Sequence, residues 1–108
     1  MENLLIRNAE IWPLDSSRVI SKGWLTARDG VITAIAPGEP PTELTAKTVI
    51  DGEGMLLMPG LADCHTHLME YATAEINATR GRAQRMSAVA NLLTALRCGI
   101  VATGEHNL

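Results

Sequence analysis

Pro59 and Gly60 split this chain into two stretches of different patterning, and that break restricts the possible folds more than any other feature. Proline has no N–H to donate to a ladder and glycine weakens a strand interior, so no regular strand runs through this point. Before it, short β-forming runs alternate with turn residues. Leu4 to Ile6 continues through Ala9 to Trp12 until Pro13 interrupts it, which predicts an edge or bent strand. Val19-Ile20 and Gly23 to Ala27 lead into Asp29-Gly30, the strongest short hairpin signal, and Val31 to Ile35 returns. Pro37 to Pro41 is a loop; Thr48 to Ile50 and Met55 to Met58 are further strands. About six short strands with regular turn signals predict a small β-sandwich over residues 1–58, with Trp12 and Trp24 in its core.

After the break, Gly60 to His67 reads as a buried strand, residues 69–82 are mixed, and residues 83–98 have helical spacing. Met86, Val89, Leu93 and Leu96 recur at three- and four-residue intervals and are read as a core stripe. Gly99 stands where a helix C′ glycine belongs, and Ile100 to Thr103 is a β-branched strand. Strand, helix and strand predict a right-handed βαβ unit with parallel strands over residues 59–108, in a chain that is α+β and mainly β. Two parallel strands and one helix cannot bury both faces of their sheet. Self-association, exchange of elements between copies, or further parts of an enzyme are therefore expected to complete this unit.

The chemistry concentrates in Pro59-Gly60-Leu61-Ala62-Asp63-Cys64-His65-Thr66-His67-Leu68. Alternate residues of a strand share a face, so Asp63, His65 and His67 project together while Cys64 and Thr66 point away. Two neutral imidazoles on one face suit a divalent metal, and Asp63 is placed to orient a ring from outside the coordination sphere. The bland alternative is a pair of hydrogen-bonded strand histidines. Cys64 and Cys98 have no disulfide spacing and are read as reduced, small, buried residues. His106, beside Glu105, is read first as an exposed terminal histidine and second as a substrate contact. Glu70, Glu75 and Arg80 are read as solvated charge before pocket residues.

Together with Leu4 to Ala9, the Arg28 to Ile35 hairpin, Val49 to Gly60 and Gly99 to Thr103, this block resembles the N-terminal part of the amidohydrolase superfamily of metal-dependent hydrolases and deaminases. Asp63 to Leu68 and Gly99 to Thr103 are similar to its imidazolonepropionase-like and dipeptidase-like branches as well as to the deaminases. The resemblance implies a β-sandwich followed by the first strand, helix and second strand of a (β/α)8 TIM barrel, truncated here. It implies His65 and His67 as metal ligands, zinc first and iron, nickel or manganese as alternatives, with water attacking a carbon–nitrogen bond other than a peptide bond. A barrel alone takes roughly 250 residues. At 108 residues, the chain is expected to be the front part of such an enzyme, inactive by itself because later ligands are missing.

A net charge of −3 provides no electrostatic footprint for nucleic acid or an anionic membrane, and no apolar run approaches a membrane span. A cytoplasmic protein is expected, with a small-molecule substrate and a homo-oligomeric or domain-swapped assembly. The competing reading is a non-catalytic, self-associating β scaffold whose histidine pair is vestigial or clips two subunits through a metal.

Overall fold

The computed structural model describes residues 1–68 and 82–105. The elements are β1 (Glu2–Ile11), β2 (Ile20–Arg28), β3 (Val31–Pro37), β4 (Ala46–Asp51), β5 (Leu56–Leu57), β6 (Leu61–Thr66), α1 (Arg82–Arg97) and β7 (Ile100–Glu105). The fold is mainly β with one helix among the described residues, and it divides into two compact units, Met1–Pro59 and Gly60–Leu108. Among the described residues no helix is long and apolar enough to cross a membrane.

In Met1–Pro59 the strands join one five-stranded sheet in the order β3-β2-β1-β4, with β5 also paired to β1. The β1–β2 and β2–β3 pairs are antiparallel, and β4 and β5 lie parallel to β1. The strands assigned above to a sandwich thus share one sheet among the described residues, because β4 and β5 pair successively along β1 instead of forming a second layer. Nor is β1 an edge. Pro13 lies beyond its last residue and removes no ladder bond; the irregularity comes from register shifts between Ile6 and Ala9 and between Ala9 and Ile11. The β2–β3 hairpin forms at Asp29-Gly30, whose φ angles of 52° and 80° suit a two-residue turn matched to strand twist.

Leu5, Ala9, Ile11, Trp24 and Leu25 form the buried apolar set, and Thr26, also buried, accepts a 2.9 Å hydrogen bond from the Thr33 hydroxyl. Trp12 departs from the sandwich-core expectation: it follows the end of β1, is exposed, and donates its indole N–H to Glu10 at 2.7 Å. Ile6, Leu25, Ile32, Ile35 and Leu57 line an apolar cavity of about 320 Å³ in this unit, and Ile32 and Ile35 remain exposed beside it.

The turn after β4 is fastened to the β1 irregularity. Asp51 Oδ1 accepts from Asn8 Nδ2 at 2.9 Å and from the Glu53 backbone N–H at 3.0 Å, while Gly52 and Gly54 donate backbone N–H groups to Arg7 and Asn8. The Asn8 amide, then the Glu53 N–H and the Arg7 guanidinium, hold the Asp51 carboxyl below the usual aspartate range. A carboxyl lowered in the folded state contributes stability above its unfolded value and loses it as the pH falls through the folded one. Asp51→Asn is therefore expected to destabilise this sheet at neutral pH, with the gap from wild type closing below about pH 4 in thermal melts. A gap that stays constant from pH 7 to pH 2 would refute this.

In Gly60–Leu108, β6 and β7 are parallel and joined through α1. The helix closes where the sequence indicates: Cys98 and Gly99 donate to the Thr94 and Leu96 carbonyls, and Gly99 has φ 86°. Its half-buried stripe is Ser87, Ala88, Asn91 and Ala95, at three- and four-residue spacing. Met86, Leu93 and Leu96, expected in the core, are instead 66%, 52% and 57% exposed, and Val89 is exposed as well. β6 is likewise largely exposed rather than buried, and both Cys64 and Cys98 are exposed. The reason is geometric: apolar residues occur on several faces of α1, and two strands cover only a narrow strip of one helix. The stretch 69–81, with Glu70, Glu75 and Arg80, and His106 lie outside the described residues.

Candidate metal centre

Parallel pairing with β7 fixes β6 up to Thr66, paired opposite Glu105, and His67 follows at the carboxyl end of the strand. Carboxyl ends of parallel strands are where open and closed α/β sheets place their ligands. The approach of the strands is close enough that a Cβ on Gly104 would sit 2.9 Å from the Cys64 carbonyl oxygen. Backbone cannot yield as a flexible side chain does, so Gly104→Ala is expected to cost about 1–3 kcal/mol, read as a lowered melting temperature. An unchanged melt would show that β7 can shift without loss.

His65 and His67 meet. Their Nε2 atoms are 2.9 Å apart, with ring centroids 4.9 Å apart and planes inclined by 59°. Which ring nitrogen carries the shared proton depends on the tautomer. With metal–nitrogen distances of about 2.0–2.1 Å, a 2.9 Å spacing corresponds to an angle of about 90° at a common cation, compared with about 3.3 Å for a tetrahedral angle. The donor chemistry suits a divalent cation held by two imidazoles, and the spacing matches a right angle at it. Among the described residues, no group of three or more His, Cys, Asp or Glu side chains is placed to hold a metal.

Asp63 shares this neighbourhood, but its observed partner is main chain: Oδ1 accepts the His65 backbone N–H at 3.1 Å. The carboxylate braces the backbone carrying the first histidine. Both histidines, with Asp63, Thr66, Leu68 and Asn91, line an open concavity of about 510 Å³, in the size range of small-molecule sites. Asn91 lies outside the stripe of Met86, Val89, Leu93 and Leu96 that the helical spacing predicts, and it is not among the residues singled out from the sequence. Its Nδ2 donates to the Leu68 carbonyl at 2.8 Å. A polar residue in register with Ser87, Ala88 and Ala95 was the available signal.

No family model matches the chain. It is 44% identical over 69 residues to the imidazolonepropionase of Stenotrophomonas maltophilia (strain R551-3), a match that spans 64% of this chain and 17% of that protein. The imidazolonepropionase of Thermoanaerobacter pseudethanolicus (strain ATCC 33223 / 39E) is 36% identical over 62 residues, spanning 57% of this chain and 14% of the relative. Among solved structures, an amidohydrolase superimposes on 93% of this chain and 24% of its own, with a TM-score of 0.74 at 22% identity. The structural match bears on the fold alone; the chain spans less than a fifth of these two curated relatives.

Proposed function

From a chain that matches the N-terminal part of amidohydrolase-superfamily proteins, we propose a role as the first segment of a metal-dependent amidohydrolase that hydrolyses a carbon–nitrogen bond of a cyclic amide or amidine. The observation that carries the reading is the convergence of His65 Nε2 and His67 Nε2 to 2.9 Å at the end of β6. These two side chains hold the cation, zinc first and iron, nickel or manganese as alternatives, and Asp63 keeps the His65 main chain in place. Once bound, such a cation supplies Lewis acidity that acidifies water and polarises a carbonyl. Two ligands are fewer than the three of an ordinary catalytic zinc site, so the segment binds metal weakly and has no turnover of its own. His106 is retained as a substrate contact, on sequence grounds only.

In the proposed whole protein the five-stranded sheet is one layer of a β-sandwich, and β6, α1 and β7 open a (β/α)8 barrel. The apolar cavity flanked by exposed Ile32 and Ile35 supports the first part, and the parallel β6–β7 pair with outward Leu93 and Leu96 supports the second. The substrate is a small molecule. Two cysteines without disulfide spacing suit a reducing, cytoplasmic compartment, and the net charge of −3 argues against nucleic acid or membrane as partner.

The exposed apolar face of α1 favours a second reading, a homo-oligomeric or element-swapped scaffold in which the histidine pair clips two chains. Zinc titration of the wild-type chain and of His65→Ala and His67→Ala separates the two. One metal per chain, lost in either variant, supports the enzyme segment; one metal per two chains, with metal-dependent dimerisation, supports the clip. Binding that survives both substitutions removes both readings.

A further inference from the structure

We propose that Asn91 is a positioning residue that holds His67 in register with His65; the purpose of that register rests on the metal-site reading above, while the geometry does not. Asn91 lies on the half-buried stripe of α1 among Ser87, Ala88 and Ala95, a position where an amide is costly unless its hydrogen bonds are made. Its Nδ2 reaches across 23 positions of sequence to the Leu68 carbonyl at 2.8 Å. Leu68 lies beyond Thr66, the last strand residue of β6. On the other side of His67, the Thr66 hydroxyl donates to the Gly104 carbonyl of β7 at 3.1 Å.

His67 is thus the single residue between two side-chain clasps, one to β7 and one to α1. With the main chain restrained on both sides, its ring is left mainly with side-chain torsions, and the observed rotamer brings Nε2 to His65. Ligand pairs work when their geometry is held within about 0.5 Å by surrounding hydrogen bonds. Removing the Asn91 amide takes away the clasp on the Leu68 side of His67. A helix residue far along the chain thereby sets the spacing of the two donors.

Nuclear magnetic resonance on the labelled 108-residue chain tests this, first metal-free and then with Zn²⁺ alone. In the wild type, nuclear Overhauser signals are expected between the His65 and His67 rings. In Asn91→Ala those signals disappear while the β6–β7 cross-strand signals remain, and Zn²⁺ affinity falls about tenfold, the lower end for groups that orient ligands from outside the coordination sphere. Asn91→Gln, which keeps an amide donor on a longer stem, lies between the two. Ring signals unchanged in Asn91→Ala overturn the proposal. Disappearance of the ring and cross-strand signals together also overturns it, because Asn91 would then only hold the unit together. Failure of the metal reading has a different signature: wild type and His65→Ala bind Zn²⁺ equally, while the ring signals still respond to Asn91→Ala and the positioning role stands.

Discussion

Replacing His67 with Ala is expected to weaken Zn²⁺ binding by roughly a hundredfold, and His65→Ala by a similar factor. Dividing the roughly 10–16 kcal/mol of a four-ligand structural zinc site among its ligands assigns each about 2.5–4 kcal/mol, and each 1.4 kcal/mol is about tenfold. The two effects should be nearly equal because both rings offer Nε2 at the same place, the two atoms lying 2.9 Å apart. Asp63→Asn should act more weakly, by severalfold, since the carboxylate oxygen touches the His65 N–H and not a ring. Calorimetric titration decides. Affinities of both histidine variants within about threefold of wild type would mean that the metal binds elsewhere, and a strong effect of only one would mean that the pair does not act together.

Trp24→Ala is expected to be the most destabilising single change among the tryptophans, at about 3–5 kcal/mol, whereas Trp12→Ala should cost no more than about 1 kcal/mol. Trp24 is 8% exposed, in a strand paired on both sides, and its removal opens a cavity that the flanking ladders cannot collapse. Trp12 is 39% exposed beyond the end of β1 and loses mainly the Glu10 hydrogen bond. Both tryptophans belong to Met1–Pro59, so in each variant the remaining indole reports the urea unfolding of that unit by fluorescence. Equal costs for the two would contradict the burial difference between them.

Local signals carried the elements of this protein, and long-range pairing decided their arrangement. Asp29-Gly30 is a turn because both residues must take positive φ, and Gly99 ends α1 for the same local reason; each is legible from adjacent residues. The break at Pro59-Gly60, the helix over 83–98 and the nearness of His65 to His67, two positions apart, are equally local. Sheet membership is not. β4 and β5 run parallel to β1, and nothing in their own few residues distinguishes a strand completing this sheet from one starting another layer.

The helix is the clearest divergence. Its leucines and methionine promise a core stripe, but Ser87, Ala88, Asn91 and Ala95 are the half-buried ones. Periodicity identifies candidate faces, while the choice between them depends on what the fold sets against each one. The same holds at the candidate site: His65 and His67 are two residues apart in sequence, whereas the Asn91 clasp on Leu68 exists only because the chain returns across 23 positions. Residue type and a strand period of two were enough to single out His65 and His67 as candidates. How those side chains are held was settled by the fold, since a hydrogen bond between distant residues exists only after the intervening chain has been placed.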